Sequence, residues 1–516
     1  MGEPELGGSS GAPLFDEEGY VVGLVSAPSP IAGEIVHASI ASLFSLDAFR
    51  LQVPPATERS FFALAPLDDA VARPLRLRAT ALGTGPQAPR AVAERPGGGF
   101  LSVGYATKAD GQHAFALAGF TADGGLDPAF GGSVIDVLGS TTEELFDVAF
   151  QVVAGEPHAV AVGNLADPDS VGVLRLTPSG TPDQTFGGSG DGVVRITGGD
   201  GGASGAAILV DPTDQSLVVV GHAAVRVPSV ENRLHGSPLV ARLAPDGTLA
   251  PRCAGSGTFV WRPDSGNFLT AQTFEELVEG SIAPTYDMVV TDAALDSVGR
   301  IVLGGYVHFL ELHGRSPWVG RLLPDCTPDR TFGEGGSGVH VFSLQGFAVD
   351  ADNAWVSAVA VEPDTDRVFA AGTVTRFERS RGSFAGRMFV AAFLTDGRLD
   401  DAGFGVGTMR GGALVPRDAE IWHEEAHGIV VGTRSGDPGD ELRVVVVGSA
   451  YAHTRSTTRR ARVATLFTDG ALESLALPPN PLGVVEARAV DGVLDASGGL
   501  WLAVAQRSQR VFDPRP

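Results

Sequence analysis

One pattern returns along most of this 516-residue chain. Each copy has an apolar run, a turn, and a second apolar run that ends in a glycine. Successive marker positions of this kind are separated by 57 to 84 residues. A repeat of this length indicates one supersecondary unit that stacks against its copies. The marker positions are Gly104, Gly163, Gly221, Gly305, Gly372, Gly448 and Ala505, where alanine replaces glycine.

A second half follows every marker except the last. It has an apolar run, then Asp-Gly, then Leu-Asp-x-x-Phe-Gly or an eroded form, and it is clearest at 121–131, 177–187 and 324–333. Short aliphatic runs between turn signals predict buried strands. Asp-Gly between two such runs predicts a hairpin turn, because glycine tolerates a positive φ. Each repeat therefore predicts four antiparallel strands, and such small sheets must pack together to bury both faces.

The pattern resembles the delta-60 repeat of bacterial β-propeller proteins over about residues 60–516. The resemblance implies an all-β fold in which each repeat is one blade of a ring. Two copies are eroded, since Cys253 stands where the phenylalanine belongs and Cys326 where the glycine belongs. These are the two cysteines of the chain. One disulfide between neighbouring repeats in an oxidising compartment is one alternative, and two free thiols are the other.

Counting the halves predicts how the ring closes. There are seven first halves and six clear second halves, but residues 61–71 resemble the second half at 240–249. The first and last segments of the propeller, near Phe62 and Trp501, are therefore expected to complete one blade between them. This pairing hides the edges of both segments. The sequence predicts a seven-bladed β-propeller, with six or eight blades as the alternatives.

Residues 1–50 lack the repeat. The segments 7–15 and 19–26 resemble the nucleophile region of trypsin-like serine proteases and the strand that follows it. On that resemblance Ser10 is the nucleophile, and the backbone N–H groups of Gly8 and Ser10 form the oxyanion hole. The implied organisation is a partial trypsin-like β-barrel fragment at 1–50, a linker at 51–59 and the propeller at 60–516.

The same segment departs from the protease pattern. Ser9 replaces the usual aspartate, and Ala12 replaces a glycine. The catalytic histidine and aspartate of that family belong far upstream, whereas nine residues precede Ser10 here. Because a serine without a general base is a weak nucleophile, we expect no peptidase activity from the chain as it stands.

His423 to His427 matches H-E-x-x-H, the motif of zinc proteases. That chemistry needs a helix, which projects both imidazoles from one face. The phase of the repeat predicts a strand here, on which the two positions lie about 13 Å apart. We therefore reject His423 and His427 as metal ligands and expect no cofactor.

The net charge of −24 limits the partners. An acidic surface repels phosphate, which argues against nucleic acids and anionic lipids. No apolar run approaches the length of a membrane-spanning helix. Long loops on a rigid ring are the usual place for binding, so we expect a protein, peptide or glycan on one propeller face.

Three functions follow as hypotheses. The leading one is a non-catalytic binding or scaffold propeller, placed outside the cytoplasm, in the extracellular space or periplasm, by the protease resemblance. The second is a truncated serine endopeptidase with Ser10 as nucleophile and the propeller as a docking or targeting module. The third is a propeller hydrolase or lyase that uses aspartate and histidine side chains of the channel. It predicts polar side chains with perturbed pKa values at the mouth of the ring.

Overall fold

The chain divides into two compact units, Met1–Thr57 and Glu58–Pro516. The structure is a computed structural model. It describes residues 13–15, 21–28, 35–39, 59–66, 78–80, 82, 85–128, 130, 132–135, 143–166, 169–226, 234–261, 286–309, 314–333, 336–342, 353–378, 383–405, 411–416, 421, 423–433, 442–451, 459–477, 484–496 and 498–508.

The described part of the first unit is one antiparallel sheet of three strands in the order β1-β2-β3. These strands are β1 (Pro13–Phe15), β2 (Val21–Pro28) and β3 (Ile35–Ser39). The partial trypsin-like β-barrel that we expected is not seen, because the three described strands pair as an open meander. The predicted site residues Ser10 and Gly8 lie outside the described residues.

The second unit is all-β in its described part. Its first strands are β4 (Arg59–Pro66), β5 (Arg78–Thr80), β6 (Gln87–Glu94), β7 (Phe100–Thr107), β8 (His113–Phe120), β9 (Gly132–Ile135), β10 (Glu144–Val153), β11 (Glu156–Ala166), β12 (Asp169–Arg175) and β13 (Val193–Ile196). The next are β14 (Ala203–Val210), β15 (Leu217–Arg226), β16 (Leu234–Leu243), β17 (Thr258–Val260), β18 (Tyr286–Leu295), β19 (Ile301–Phe309), β20 (Gly314–Leu322) and β21 (Val339–Val341). The last are β22 (Asn353–Val361), β23 (Val368–Glu378), β24 (Ser383–Phe393), β25 (Gly412–Leu414), β26 (His423–Thr433), β27 (Leu442–Tyr451), β28 (Arg460–Phe467), β29 (Leu472–Ala476), β30 (Val484–Leu494) and β31 (Leu500–Ser508).

These strands form antiparallel sheets of four, as the repeat predicts. Six sheets each use one continuous stretch of chain: β6–β9, β10–β13, β14–β17, β18–β21, β22–β25 and β26–β29. One more, which we call the composite sheet, has the order β30-β31-β4-β5. The predicted count of seven blades thus corresponds to six continuous blades and one composite sheet.

The sheets are arranged as a ring. Among the described residues, buried apolar side chains form seven clusters, and each cluster joins two consecutive sheets. One of them packs Phe100 of β7 against Trp501 of β31, with ring centroids 4.7 Å apart, and so connects the β6–β9 sheet to the composite sheet. The series returns to its starting sheet, which makes this unit a β-propeller. Its core is this succession of interfaces between blades.

The composite sheet closes the ring without a covalent link. In the antiparallel pairing of β31 with β4, Trp501 lies opposite Pro66 and Ala505 lies opposite Phe62. The predicted pairing of these two segments is therefore confirmed. The closure buries an edge of each segment that would otherwise be open to pairing with another chain.

The Phe-Gly end of the repeat motif joins neighbouring blades. The Phe186 ring packs beneath the next blade's Asp-Gly turn, where a Cβ placed on Gly247 would lie 2.7 Å from it. Phe332 and Gly397 are related in the same way, at 2.8 Å. Only glycine leaves room for the ring, and its positive φ suits the turn.

The Asp of the same motif neutralises a buried arginine. Asp183 accepts a hydrogen bond from Arg175 Nε at 2.9 Å, and Asp329 accepts one from Arg321 Nε at 2.8 Å. Each guanidinium lies over the phenylalanine ring of its own motif, 4.5 Å from the Phe186 centroid in the first case. The motif therefore combines a paired buried charge with an apolar anchor.

Candidate functional site at the channel mouth

The first strand of each four-stranded sheet carries a β-bulge at the same place. These inner strands are β6, β10, β14, β18, β22, β26 and β30, and in each of them one residue at this place is left out of the register with the next strand. A bulge re-aims a side chain and increases the local twist of the strand. The bulged residues are Arg90, Phe146, Ala206, Thr291, Ser357, His427 and Val490.

The marker glycine of each repeat makes this bulge fit. A Cβ on Gly305 would collide with the carbonyl oxygen of Val289, just before the bulge of β18. The other five marker glycines meet an inner-strand carbonyl in the same way. The glycine that identifies the repeat in the sequence is therefore the residue that allows the inner strand to approach its neighbour.

All seven bulged residues line one cavity of about 550 Å³ where the inner strands converge. This is the central channel of the propeller, opened toward the ends at which the inner strands begin. Side chains from the second strands and from β20 complete the wall: Tyr306, His222 and Arg315. A smaller cavity of about 410 Å³ adjoins it and shares Phe146, Ser204 and His222.

Three aspartates follow the bulge at equivalent positions. Asp147, Asp292 and Asp491 each accept a hydrogen bond on Oδ1 from the next N–H of their own strand, at 2.7 to 2.8 Å. On Oδ2 each accepts an N–H of the neighbouring blade's inner strand, from Ile208, Val359 and Val92, at 2.8 to 2.9 Å. Each carboxylate thus joins two blades, and its oxygens are committed to the backbone.

Burial weakens the acidity of these carboxyl groups. It raises the pKa of Asp147 to about 6 and that of Asp491 to about 7. The pKa of Asp292 is raised well above its ordinary value, by burial first and then by the charge of Asp147. Each shift persists although the backbone hydrogen bonds favour the ionised form. The perturbed pKa values expected by the hydrolase or lyase hypothesis are present, but on groups that hold blades together.

A cationic and aromatic cluster lies beside Arg90. Arg90 Nη2 donates to Glu144 Oε2 at 3.0 Å, and its guanidinium lies 5.4 Å from the Tyr105 ring centroid. His113 Nδ1 lies 2.8 Å from the other oxygen of Glu144. Burial opposes the ionisation of Glu144, but the hydrogen bond from His113 and the charge of Arg90 outweigh it and lower the pKa. Glu144 is therefore ionised at neutral pH and offsets part of the charge of Arg90.

Arg488 is the second arginine of the cavity. Its Nε lies 2.9 Å from Glu486 Oε1. Burial lowers the pKa of Arg488, Glu486 raises it, and the like charges of Arg459 and Arg90 lower it further. Several guanidinium groups therefore share this end of the channel.

Arg315 is the third, and its surroundings differ. It lies on β20, is exposed, and its guanidinium is 4.7 Å from the Tyr306 ring centroid and 5.7 Å from that of Trp355. Its backbone N–H donates to Asn353 Oδ1 at 3.0 Å. Within the described part of the chain, no carboxylate forms an ion pair with the Arg315 guanidinium. Its donors face the cavity without an acidic partner.

The H-E-x-x-H segment lies on β26, so the predicted strand is confirmed. His427 Nε2 is 3.1 Å from Ser449 Oγ, and His423 Nε2 is 3.0 Å from Glu425 Oε1. Glu424 points away into the interior, where its Oε1 lies 2.8 Å from Arg462 Nε. Burial lowers the pKa of His427 to about 4, which keeps the ring neutral at physiological pH. Among the residues that the structure describes, no three His, Cys, Asp or Glu side chains are grouped to hold a metal ion.

Most residues of this site carry no signal that the sequence pattern revealed. The sequence predicted Ser10 and Gly8 as site residues, which lie outside the described residues, and His423 and His427 were rejected as metal ligands. Of these four, the structure places His427 on the cavity wall. In three repeats the residue that follows the marker glycine was an available signal, because Asn164, His222 and Tyr306 hold that position and line the two cavities. In the described part of the chain, no helix is both long and apolar enough to cross a bilayer.

No protein-family model matches this chain, and no curated protein sequence does. Solved structures that resemble it include a glucose dehydrogenase, with 10% identity and a TM-score of 0.30 over 86% of this chain and 99% of that one. A Cellvibrio cellulosa α-L-arabinanase complexed with arabinohexaose has 10% identity and a TM-score of 0.27 over 63% and 94%. Drosophila Semaphorin 1a, extracellular domains 1-2, has 8% identity and a TM-score of 0.36 over 81% and 86%. These values assign no activity, and the propeller fold rests on the ring of sheets described above.

Proposed function

We propose that this protein is a non-catalytic binding propeller whose ligand occupies the cavity at the channel mouth. The observation that carries the proposal is that every inner strand contributes its bulged residue to the wall of one cavity. A volume of about 550 Å³ is in the range of small-molecule sites and of the side chains or sugar units of larger partners. A peptide or glycan terminus is therefore a suitable occupant.

The state of the polar groups favours binding over catalysis. The oxygens of Asp147, Asp292 and Asp491 are occupied by backbone N–H groups. Thr291 Oγ1 donates a hydrogen bond to the Val356 carbonyl at 2.9 Å, and His427 Nε2 forms a hydrogen bond with Ser449 Oγ. A general acid or base must be free to reach a substrate proton. These groups stabilise the wall instead.

The location of the site can be tested by filling the channel. Full-length protein, an Ala206→Trp variant and a Val298→Trp control would be screened against a glycan array and a tryptic peptide library. Ala206 is a bulged residue of the cavity, whereas Val298 is 63% exposed in the turn after β18. We expect ligands that bind the wild type and the control but not Ala206→Trp. Ligands that bind all three equally would contradict the proposal.

A propeller hydrolase or lyase is the second candidate, because raised carboxyl pKa values near a cavity are typical of catalytic acids. It would be favoured by turnover of chromogenic glycoside or ester substrates that is abolished by Asp292→Asn and His427→Gln while the variants stay folded. Binding that persists in both variants without any turnover in the wild type would favour the binding propeller.

The serine endopeptidase with Ser10 stays a prediction from resemblance. Labelling of the full chain with a fluorophosphonate probe, compared with Ser10→Ala, tests it directly. Labelling lost in the variant would support an activated serine. An extracellular or periplasmic location is compatible with the disulfide that the structure contains, and it belongs to the proposal.

A further inference from the structure

Arg315 has an arrangement that suits ligand recognition. Its guanidinium is stacked against Tyr306 and Trp355, at 4.7 and 5.7 Å from their centroids. Stacking fixes the plane of the group while its N–H donors stay in that plane. Arg175 and Arg321 each direct these donors at a carboxylate, that of Asp183 and that of Asp329. Arg315 has no such partner in the described part of the chain.

Two further polar groups on the same wall have no hydrogen bond with a described residue. His222 Nδ1 is buried and makes no hydrogen bond with any described residue. The hydroxyl of Ser357, the bulged residue two positions after Trp355, has no hydrogen bond within the described part either. A buried polar atom without a partner, such as His222 Nδ1, indicates a water, ion or ligand that satisfies it. A planar arginine, an imidazole and a hydroxyl together suit an acceptor with several oxygens.

The local charge agrees with this. Arg90 and Arg488 face the same cavity as Arg315, and each meets one carboxylate, Glu144 and Glu486 respectively. The three wall aspartates already direct their oxygens at backbone N–H groups, which offset part of the negative charge that they carry. The net charge of −24 repels large polyanions from the outer surface. A small anion inside the cavity is affected mainly by the nearby side chains, because salt screens charges beyond about 8 Å under physiological conditions.

We propose that the cavity binds a small molecule or terminal group bearing an oxyanion, a carboxylate, phosphate or sulfate, with Arg315 as its anchor. Bidentate pairing with one guanidinium gives both orientation and strength. His222 and Ser357 would supply additional donors. This inference rests on the proposed binding function and names the chemistry of the same site.

The test measures binding of four probes to the full-length protein by calorimetry at fixed ionic strength. Citrate, inorganic phosphate and sulfate represent the three anion sources, and glucose is the neutral probe. The variants are Arg315→Gln, Arg315→Lys, the channel-filling Ala206→Trp, and Arg398→Gln as control. Arg398 is 70% exposed and pairs with Asp396 outside the cavity. Thermal melting of each variant verifies that it is folded.

We expect at least one anion to bind the wild type, with affinity reduced about tenfold or more by Arg315→Gln, because a charged hydrogen bond contributes that much. Arg315→Lys should retain part of the affinity, Arg398→Gln all of it, and Ala206→Trp none. The preferred anion identifies the source.

Different failures separate the two proposals. If glucose binds and Ala206→Trp abolishes its binding while no anion binds, the oxyanion inference is wrong and the binding function stands. Anion binding that is unaffected by Arg315→Gln overturns the inference too, as does the absence of anion binding up to about 10 mM. Binding of any probe that Ala206→Trp leaves unchanged overturns the location of the site, and with it both proposals.

Discussion

The disulfide between Cys253 and Cys326 stands where neighbouring blades place a phenylalanine against a glycine. Ala254, next to Cys253, donates its N–H to the Asp325 carbonyl, as Gly187 does to Asp246 one blade earlier. Cys326 also has the positive φ of the glycine that it replaces, 65°. Two substitutions thus exchange an aromatic contact for a covalent one at the same interface. Of the two alternatives left open by the sequence, the structure has the bridge.

Removing the bridge should destabilise the propeller. Cys253→Ala with Cys326→Ala is expected to lower the free energy of unfolding by about 2–4 kcal/mol, because the bridge closes a long loop in the unfolded chain. Cys253→Phe with Cys326→Gly should recover part of the loss by restoring the contact of the other blades. Chemical denaturation measures both variants. A reductant should weaken the wild type and leave the Phe/Gly variant unchanged, and equal sensitivity of the two would contradict this account.

A marker glycine should not tolerate a methyl group. Gly305→Ala is expected to cost about 1–3 kcal/mol of stability, because the Cβ would overlap the Val289 carbonyl oxygen and displace the bulge of β18. Gly236→Ala is the matched control, since the nearest atom to its Cβ would be at an ordinary 3.6 Å. There we expect no loss, or a gain of up to about 1 kcal/mol. Melting temperatures of the two variants make the comparison, and similar losses would refute the steric explanation.

The raised pKa of Asp491 should make the difference in the free energy of unfolding between the wild type and Asp491→Asn depend on pH. Its pKa is 3.8 as the ordinary value and about 7 in the folded protein, so the folded state holds this proton more tightly. The stabilisation is complete below pH 4 and is lost as the pH rises through 7. Relative to Asp491→Asn, the wild type should therefore lose stability between pH 4 and pH 8.

The control for that titration is Asp246→Asn. Hydrogen bonds from Thr248 lower the pKa of Asp246 below its ordinary value of 3.8, so it is ionised from pH 5 to pH 8 in both the folded and the unfolded state. The free energy of unfolding of Asp246→Asn should differ from that of the wild type by a constant amount from pH 5 to pH 8. Denaturant unfolding at four pH values measures both differences. A wild type that gains stability relative to Asp491→Asn over this range would show that the carboxyl is not buried as described.

The buried ion pair of the repeat motif should be far more sensitive than a surface pair. Asp183→Ala leaves the buried Arg175 without its carboxylate, and we expect a loss of about 3–5 kcal/mol. Asp396→Ala breaks a pair with Arg398 that is largely exposed, and we expect less than about 1 kcal/mol. Chemical denaturation distinguishes the two. Comparable losses would mean that solvent reaches Arg175.

Most of the fold could be predicted from the repeat pattern. Marker glycines and Asp-Gly turns are local signals, so they predicted the four-stranded sheets, and the likeness of residues 61–71 to 240–249 predicted the composite sheet. The expected barrel fragment at 1–50 rested on a short resemblance, and three described strands in a meander do not bear it out. A few matching residues are not enough to specify a closed barrel.

The site was harder to predict, because bulges are not visible in the hydrophobic pattern. An extra residue shifts the alternation of the strand, so Ser357 and His427 enter the channel at positions that alternation would assign differently. Arg315 reaches the cavity from the third strand of its sheet by the length of its side chain. Trp355 belongs to the cavity wall, and the Arg315 guanidinium lies over its ring. Nothing in the sequence distinguishes Trp355 from a tryptophan that only packs in the core.

The composite sheet also determines when the molecule can finish folding. Its strand β4 ends at Pro66, and the partner strand β31 begins at Leu500, so a ribosome releases the two halves of this ladder 434 residues apart. Throughout that interval the nascent ring has two open edges, which are hazards for pairing with other chains. Closure therefore has to wait until β31 has left the ribosome, and the demand for chaperones should be greatest just before that point.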